Sequence, residues 1–225
     1  FKVGTKHKME EDTLAYTFPR DGGKPYLGGA HGLIGILYML LLCSQRHPDL
    51  KENEKFMAKL KSSIEFLVNI QYDSGNFPSS LGKDSDKLLH FCHGAPGAVP
   101  LLLNAHKIFK DDKFLDSALK AGEIIWEKGL LLKGFGLCHG ICGNAYMLHS
   151  IYRETKDTKW LYRSLTFASS ILDKRVWEKV ENYDDSMRKE VGKPDGIYSL
   201  MEGLGGTSVM IMDMIMQETT NPKLP

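Results

Sequence analysis

The stretch His139-Gly140-Ile141-Cys142-Gly143 decides the fold, because variants of it recur along the chain at the same structural joint. The shared pattern is a histidine or glutamate, a glycine, two further residues and a second glycine. Four copies begin at positions 31, 93, 139 and 202. Each copy leads into an apolar segment, at residues 34–43, 98–103, 145–151 and 209–216. Such internal similarity predicts a repeat architecture.

Amphipathic segments lie between the apolar ones, and their apolar residues recur at spacings of three and four, which indicates helices. The three sets are Phe56, Leu60, Ile64, Leu67 and Val68; Phe114, Ala118, Ala121 and Ile125; and Leu161, Leu165, Ala168, Ile171 and Leu172. No segment shows the sustained alternation of a strand. The sequence therefore predicts an all-α domain over residues 1–225, in which amphipathic outer helices cover apolar inner ones.

Composition and charge exclude several classes of protein. The 225 residues include 29 basic and 28 acidic ones, scattered rather than clustered, which argues against a nucleic-acid partner. The longest apolar run, residues 34–43, is about half of a membrane span. Four cysteines are too few for a disulfide framework, and the start of the chain lacks a signal peptide. We therefore expect a cytoplasmic protein, and Phe1 as the first residue indicates that the N-terminal part is missing.

Cys92 and Cys138 occupy equivalent positions in two turns, 46 residues apart, each directly before a histidine. Two thiolates and one imidazole form the ligand set of a catalytic zinc site, which keeps a position open for substrate. A helix N-terminus also favours the thiolate. Spacing alone does not choose between His93 and His139 as the third ligand. The alternative is two buried cysteines beside histidines that cap helices.

Two further residues of the repeat have both a chemical and a structural interpretation. His31 holds the same repeat position without a preceding cysteine, so it suits a proton donor or acceptor near neutral pH. A histidine that is hydrogen-bonded within a helix turn explains the pattern equally well. Cys142, one helical turn after Cys138, is interpreted as a core residue rather than a fourth ligand.

Residues near the turns could contact a substrate. Lys133, five residues before Cys138, lies in the loop that leads into the site and could bind a carboxylate, although a lone loop lysine is usually solvated. Tyr198 and Ser199 precede the fourth turn and are expected to face the same opening. Glu202 replaces the histidine of the fourth turn and is interpreted as an acidic cap at a helix start.

Four ordered motifs resemble the lanthionine synthetase C-like family, and its eukaryotic branch is the nearer match. The motifs are Gly28-Gly29-Ala30-His31-Gly32-Leu33-Ile34-Gly35, His90-Phe91-Cys92-His93-Gly94-Ala95-Pro96-Gly97, Gly136-Leu137-Cys138-His139-Gly140 and Tyr198-Ser199-Leu200-Met201-Glu202-Gly203. The resemblance implies an α/α toroid of inner and outer helices. The chain would hold the C-terminal portion of it, roughly the last four of seven helical hairpins.

The resemblance also implies a cofactor, partners and an activity. Positions matching Cys92, Cys138 and His139 bind zinc in the family, and the position matching His31 is the family's candidate proton donor. Lys133 and the pair Tyr198-Ser199 match positions associated with glutathione. The implied activity is a glutathione-transferase-like addition of a zinc-activated thiol to dehydroalanine or dehydrobutyrine in a peptide or protein.

The alternative is a non-catalytic, glutathione- and zinc-binding regulatory or signalling protein. Peripheral membrane association through the missing N-terminus is a further expectation.

Overall fold

The computed structural model describes residues 13–17, 22–181, 196 and 198–220. These residues are predominantly helical, and an isolated antiparallel β-bridge joins Tyr26 to Ser80. The helices are α1 (Leu33–Arg46), α2 (Pro48–Glu52), α3 (Glu54–Asn69), α4 (Ala95–Phe109), α5 (Asp112–Lys128), α6 (Ile141–Thr155), α7 (Thr158–Ser169), α8 (Lys174–Glu181) and α9 (Leu204–Thr220), with a 3-10 turn at Ser170–Leu172.

The chain divides into two compact units, Phe1–Ile124 and Ile125–Pro225. The prediction of one domain over residues 1–225 stays a prediction. No helix among the described residues is both long and apolar enough to cross a bilayer.

The first unit is built from an apolar pair of helices and amphipathic partners. Helix α1 packs against α3 and α4. Helix α4 buries most of its length, whereas α3 buries only one face, with Leu60, Ile64 and Leu67 inward and its lysines and glutamates at the surface. Both kinds of helix occupy the segments predicted for them. A helix that is buried on all sides has few charged residues, whereas a helix that is buried on one side carries them on its exposed face.

In the second unit, α6 packs against α7 and α9. The phenol of Tyr146 on α6 donates a hydrogen bond to the Asp213 carboxylate on α9. The predicted helix over α7 is present, but the predicted buried face is wrong: Leu165 is 49% exposed, whereas Trp160, Ser164 and Phe167 are buried. The bulky Trp160 and Phe167 are buried together with the small Ser164, on a face of the helix that a count of apolar residues does not identify.

Asn76 fixes the start of α4, directly after the turn that contains Cys92. It is buried, and its Oδ1 accepts a hydrogen bond from the N–H of Ala95 at 2.8 Å. Its Nδ2 donates to the Asp86 carboxylate at 2.7 Å and to the Leu88 carbonyl at 3.0 Å. One side chain therefore satisfies an N-terminal amide of the helix and fastens the preceding loop to it.

We expect Asn76→Ala to lower the free energy of unfolding by about 2 kcal/mol, because the Ala95 amide and the Leu88 carbonyl lose a buried partner. Urea unfolding followed by circular dichroism measures the change. Gln45→Ala is the matched control, since Gln45 is exposed and makes a long hydrogen bond of 3.4 Å to Asn104. Its effect should stay within about 0.5 kcal/mol. Equal stability of Asn76→Ala and the wild type would contradict the capping role.

Candidate metal centre

Two glycine-rich turns of the first unit are in backbone contact and place Cys92. The Gly29 N–H donates a hydrogen bond to the Phe91 carbonyl at 3.1 Å. A Cβ atom on Gly28 would lie 1.7 Å from the carbonyl oxygen of Cys92, so only glycine fits at this approach. The Cys92 side chain is buried, 6% exposed, three residues before α4 begins.

The imidazoles of His31 and His93 lie side by side in the same unit. Their ring centroids are 5.2 Å apart, and the centroid of the Tyr26 ring lies 5.6 Å from that of His93. His93 is half-buried, whereas His31 is exposed. The candidate proton donor His31 is therefore accessible from solvent, as a residue that contacts a substrate must be.

The turn that contains Cys138 and His139 is braced by the turn before α9. The Cys138 N–H donates to the Met201 carbonyl at 2.7 Å. A Cβ atom on Gly136 would lie 2.4 Å from the carbonyl carbon of Glu202, which again requires glycine. The Thr207 hydroxyl donates to the Phe135 carbonyl at 2.9 Å. Backbone contacts of this kind fix where the two buried side chains of Cys138 and His139 can point.

The carboxylate of Glu202 faces the imidazole of His139. The distance from Oε2 to Nε2 is 3.5 Å, with the histidine side chain 6% exposed and the glutamate side chain 30% exposed. The sequence analysis interpreted Glu202 as a helix cap and missed this contact. The available signal was its register: Glu202 stands where the three other copies of the repeat have a histidine.

The structure brings together Cys92, Cys138 and His139. One candidate ligand atom from each residue lies within 4.8 Å of the other two, and all three side chains are buried. Among the described residues, no carboxylate and no further cysteine or histidine joins this group. His93, the rival third ligand, is not a member.

The donor set fits a zinc ion. Zinc binds thiolate sulfur at about 2.3 Å and imidazole nitrogen at about 2.0–2.1 Å, so tetrahedral ligand atoms lie about 3.5–3.8 Å apart. The observed ligand atoms all lie within 4.8 Å of one another, a limit that includes this spacing. Soft thiolates with one imidazole select zinc over magnesium or calcium, which prefer oxygen ligands. Three protein donors are the number found in catalytic zinc sites.

Cys142 lies outside the group although it follows Cys138 by one helical turn. Burial raises the pKa of its thiol to about 11, and a hydrogen bond with Thr207 partly opposes that shift. The thiol is therefore protonated at neutral pH and is a poor nucleophile. This agrees with its interpretation as a core residue.

The residues predicted to contact substrate differ in their surroundings. Lys133 is half-buried in the loop before α6, whereas the Tyr198 ring is 89% exposed. The Ser199 hydroxyl accepts a hydrogen bond from the Glu202 N–H at 3.1 Å, and the Ser199 N–H donates to the Gly196 carbonyl at 2.8 Å. Ser199 thus has a structural role in its turn. Contact of these three residues with a substrate stays a prediction.

Comparisons with known proteins identify a family, a relative and a similar fold. The model of the lanthionine synthetase C-like protein family matches residues 3–225. The chain is similar to glutathione S-transferase LANCL1 of Danio rerio, with 38% identity over 191 residues, which cover 84% of this chain and 43% of that protein. Among solved structures, nisin cyclase superposes with a TM-score of 0.64 at 20% identity, covering 86% of this chain and 47% of that one.

The structural likeness confirms the predicted fold class, an all-α fold of the α/α-toroid type. The chain spans less than half the length of the relatives that it matches.

Proposed function

Since the chain belongs to the lanthionine synthetase C-like family, we propose that it carries the zinc centre of a glutathione-binding enzyme that adds thiols to dehydroamino acids. The observation that supports this proposal is the buried group formed by Cys92, Cys138 and His139. The names of the two relatives point the same way. One is a glutathione S-transferase and the other a cyclase of nisin.

In this proposal Cys92, Cys138 and His139 hold zinc, with a position left for the glutathione thiol. A bound zinc ion supplies a Lewis acid that lowers the pKa of a coordinated thiol, so that the thiol loses its proton near neutral pH. Because Cys92, Cys138 and His139 are buried, bulk water has little access to the two cysteine sulfurs. The backbone contacts at Gly28 and Gly136 maintain that arrangement.

The proposed reaction is a conjugate addition to the C=C bond of dehydroalanine or dehydrobutyrine. The glutathione sulfur forms a C–S bond with the β-carbon, and the π electrons of the double bond move onto the α-carbon and its carbonyl. His31 then donates a proton to the α-carbon and takes up a proton from solvent, which has received the thiol proton. The sum is one thiol added across one double bond, with no oxidant or reductant. A positioned histidine suits this proton transfer near neutral pH.

Glutathione carries two carboxylates, and Lys133 offers the positive charge to bind one of them. Lys133 lies five residues before Cys138, on the loop that ends at the metal ligands. Tyr198 offers an exposed phenol, and Ser199 a hydroxyl, for polar contacts with the tripeptide. These three assignments rest on the family resemblance, in which the matching positions are associated with glutathione.

The test combines zinc-loaded protein, glutathione and a synthetic peptide that contains dehydroalanine. Mass spectrometry should show the peptide gaining one glutathione, at an initial rate about 100-fold or more above the same mixture with zinc-free protein. The zinc-free control matters because thiols add slowly to dehydroalanine without a catalyst. A rate equal to that of the zinc-free control would contradict the proposal that the protein is an enzyme. Glutathione binding without acceleration would support the non-catalytic alternative.

A further inference from the structure

Three large apolar residues are exposed on the two loops that lead into α6 and α9. Leu132 lies in the loop before α6, ahead of Cys138 and His139, and Leu200 and Met201 lie in the turn before α9. Each of the three is between 41% and 56% exposed. We propose that they bind apolar side chains that flank the dehydroamino acid of the peptide substrate. This inference rests on the proposed function and specifies the class of peptide that reacts.

The turn that carries Leu200 and Met201 is held directly against the turn that carries the candidate metal ligands. The Met201 carbonyl accepts a hydrogen bond from the Cys138 N–H at 2.7 Å. A Cβ atom on Gly206 would lie 1.9 Å from the carbonyl oxygen of Leu200, so the chain at Leu200 passes closely over the first turn of α9. Because this backbone is already fixed, binding a peptide there costs little ordering of the loop.

The loop that carries Leu132 is fixed to α6 on both sides of that residue. The Gly129 carbonyl accepts a hydrogen bond from Nδ2 of the buried Asn144 on α6 at 2.9 Å. The Gly134 carbonyl accepts from the first N–H of α6 at 3.0 Å. Leu132 is therefore presented to solvent by a braced loop whose chain continues into the metal-ligand turn.

The absence of charge in both segments distinguishes between the two substrates of the proposed reaction. Residues 129–132 and 198–201 contain no acidic or basic side chain. Glutathione carries two carboxylates and an ammonium group, and these segments offer it no charged partner. The electrophile is a peptide, in which dehydroalanine is uncharged and its neighbours are free to be apolar. Packing apolar side chains against the exposed leucines and methionine removes both surfaces from water, which favours binding.

Two synthetic peptides test the preference directly. They differ only in the residues on either side of dehydroalanine, which are leucine in one peptide and serine in the other. With zinc-loaded protein and saturating glutathione, we expect kcat/KM to be about 10-fold higher for the leucine peptide, after subtraction of the rate with zinc-free protein. Equal kcat/KM values would overturn the preference and leave the enzyme intact. No acceleration with either peptide would contradict the proposed function instead.

A double variant, Leu200→Ser with Met201→Ser, should reduce the ratio between the two peptides to about threefold or less, because only Leu132 remains. The loss should appear as a higher KM for the leucine peptide, since these contacts are the same before and during the reaction. Leu172→Ser is the matched control, because Leu172 is also exposed but lies in the 3-10 turn after α7. It should keep the wild-type ratio. A folded, zinc-loaded double variant that keeps that ratio would contradict the proposal.

Binding of unreactive peptides separates the exposed residues from the chemistry. Fluorescence anisotropy of labelled analogues, with alanine in place of dehydroalanine, should show the leucine analogue binding about 10-fold more tightly than the serine analogue. This preference without any acceleration of the reaction would support the binding surface and contradict only the proposed function. A wild-type dimer in gel filtration that the double variant converts to a monomer would show that a second copy covers these residues, and would overturn the proposal.

Discussion

Cys138→Ala is expected to abolish both zinc binding and thiol addition. Cys138 is buried and supplies one of the two sulfurs in the three-residue group, so its loss leaves one thiol and one imidazole. Loss of a residue behind a ligand already weakens metal affinity about 10–100-fold, and loss of the ligand itself should exceed that. Zinc content after gel filtration, and the rate of glutathione addition to a dehydroalanine peptide, measure the two effects.

Cys142→Ala is the control for this experiment, because Cys142 is also buried and lies in the first turn of α6, four residues after Cys138, but outside the group. We expect it to lower stability through lost packing and to keep stoichiometric zinc. Circular dichroism of zinc-free wild type and Cys138→Ala separates loss of the ligand from loss of the fold. A folded Cys138→Ala protein that retains zinc would show that Cys138 is not a ligand.

His31→Gln is expected to slow thiol addition by about 10²–10⁴-fold without changing zinc content, because glutamine cannot transfer a proton to the α-carbon. Product analysis gives an additional measure. Protonation by solvent instead of a fixed imidazole should yield a mixture of configurations at the α-carbon. Three measurements test this prediction: the initial rate of addition, the zinc content of the protein, and the configuration at the α-carbon from chiral analysis of the hydrolysed product.

The matched control for His31 is His47→Gln, since His47 is exposed at the C-terminal end of α1. It should have the rate, zinc content and product configuration of the wild type. A His31→Gln protein with the wild-type rate and a single product configuration would remove His31 from the mechanism. The addition itself would then depend on another acid.

The fold was largely predictable from the sequence because the glycines of the repeat have a structural role that can be inferred from their positions. The glycine pair of the repeat marks a place where the chain passes close to another backbone segment: a Cβ atom on Gly35 or Gly143 would lie 2.0 Å from the carbonyl oxygen of Gly29 or Leu137, respectively. Periodicity identified α7 as a helix but chose the wrong face. It counts apolar residues, and the buried face there includes Ser164, while the apolar Leu165 is exposed.

The sequence predicted the types of residue that form the site, but not which histidine joins the two cysteines or which residue contacts that histidine. Spacing left His93 and His139 equivalent as third ligands, because both follow a cysteine in the same repeat position. Three-dimensional packing separates them: His139 lies in the cysteine group, and the His93 ring lies beside His31 and Tyr26. The sequence analysis interpreted Glu202 as a helix cap and did not predict its contact with His139, because a contact between residues 63 positions apart leaves no local pattern.

Zinc K-edge X-ray absorption of the zinc-loaded protein, with and without glutathione, tests most directly whether a Cys–Cys–His site accepts a thiol. We predict two sulfur neighbours at about 2.3 Å with nitrogen or oxygen at about 2.0–2.1 Å, and a third sulfur when glutathione is added. A shell of nitrogen and oxygen alone, or a sulfur count that glutathione leaves unchanged, would contradict the account.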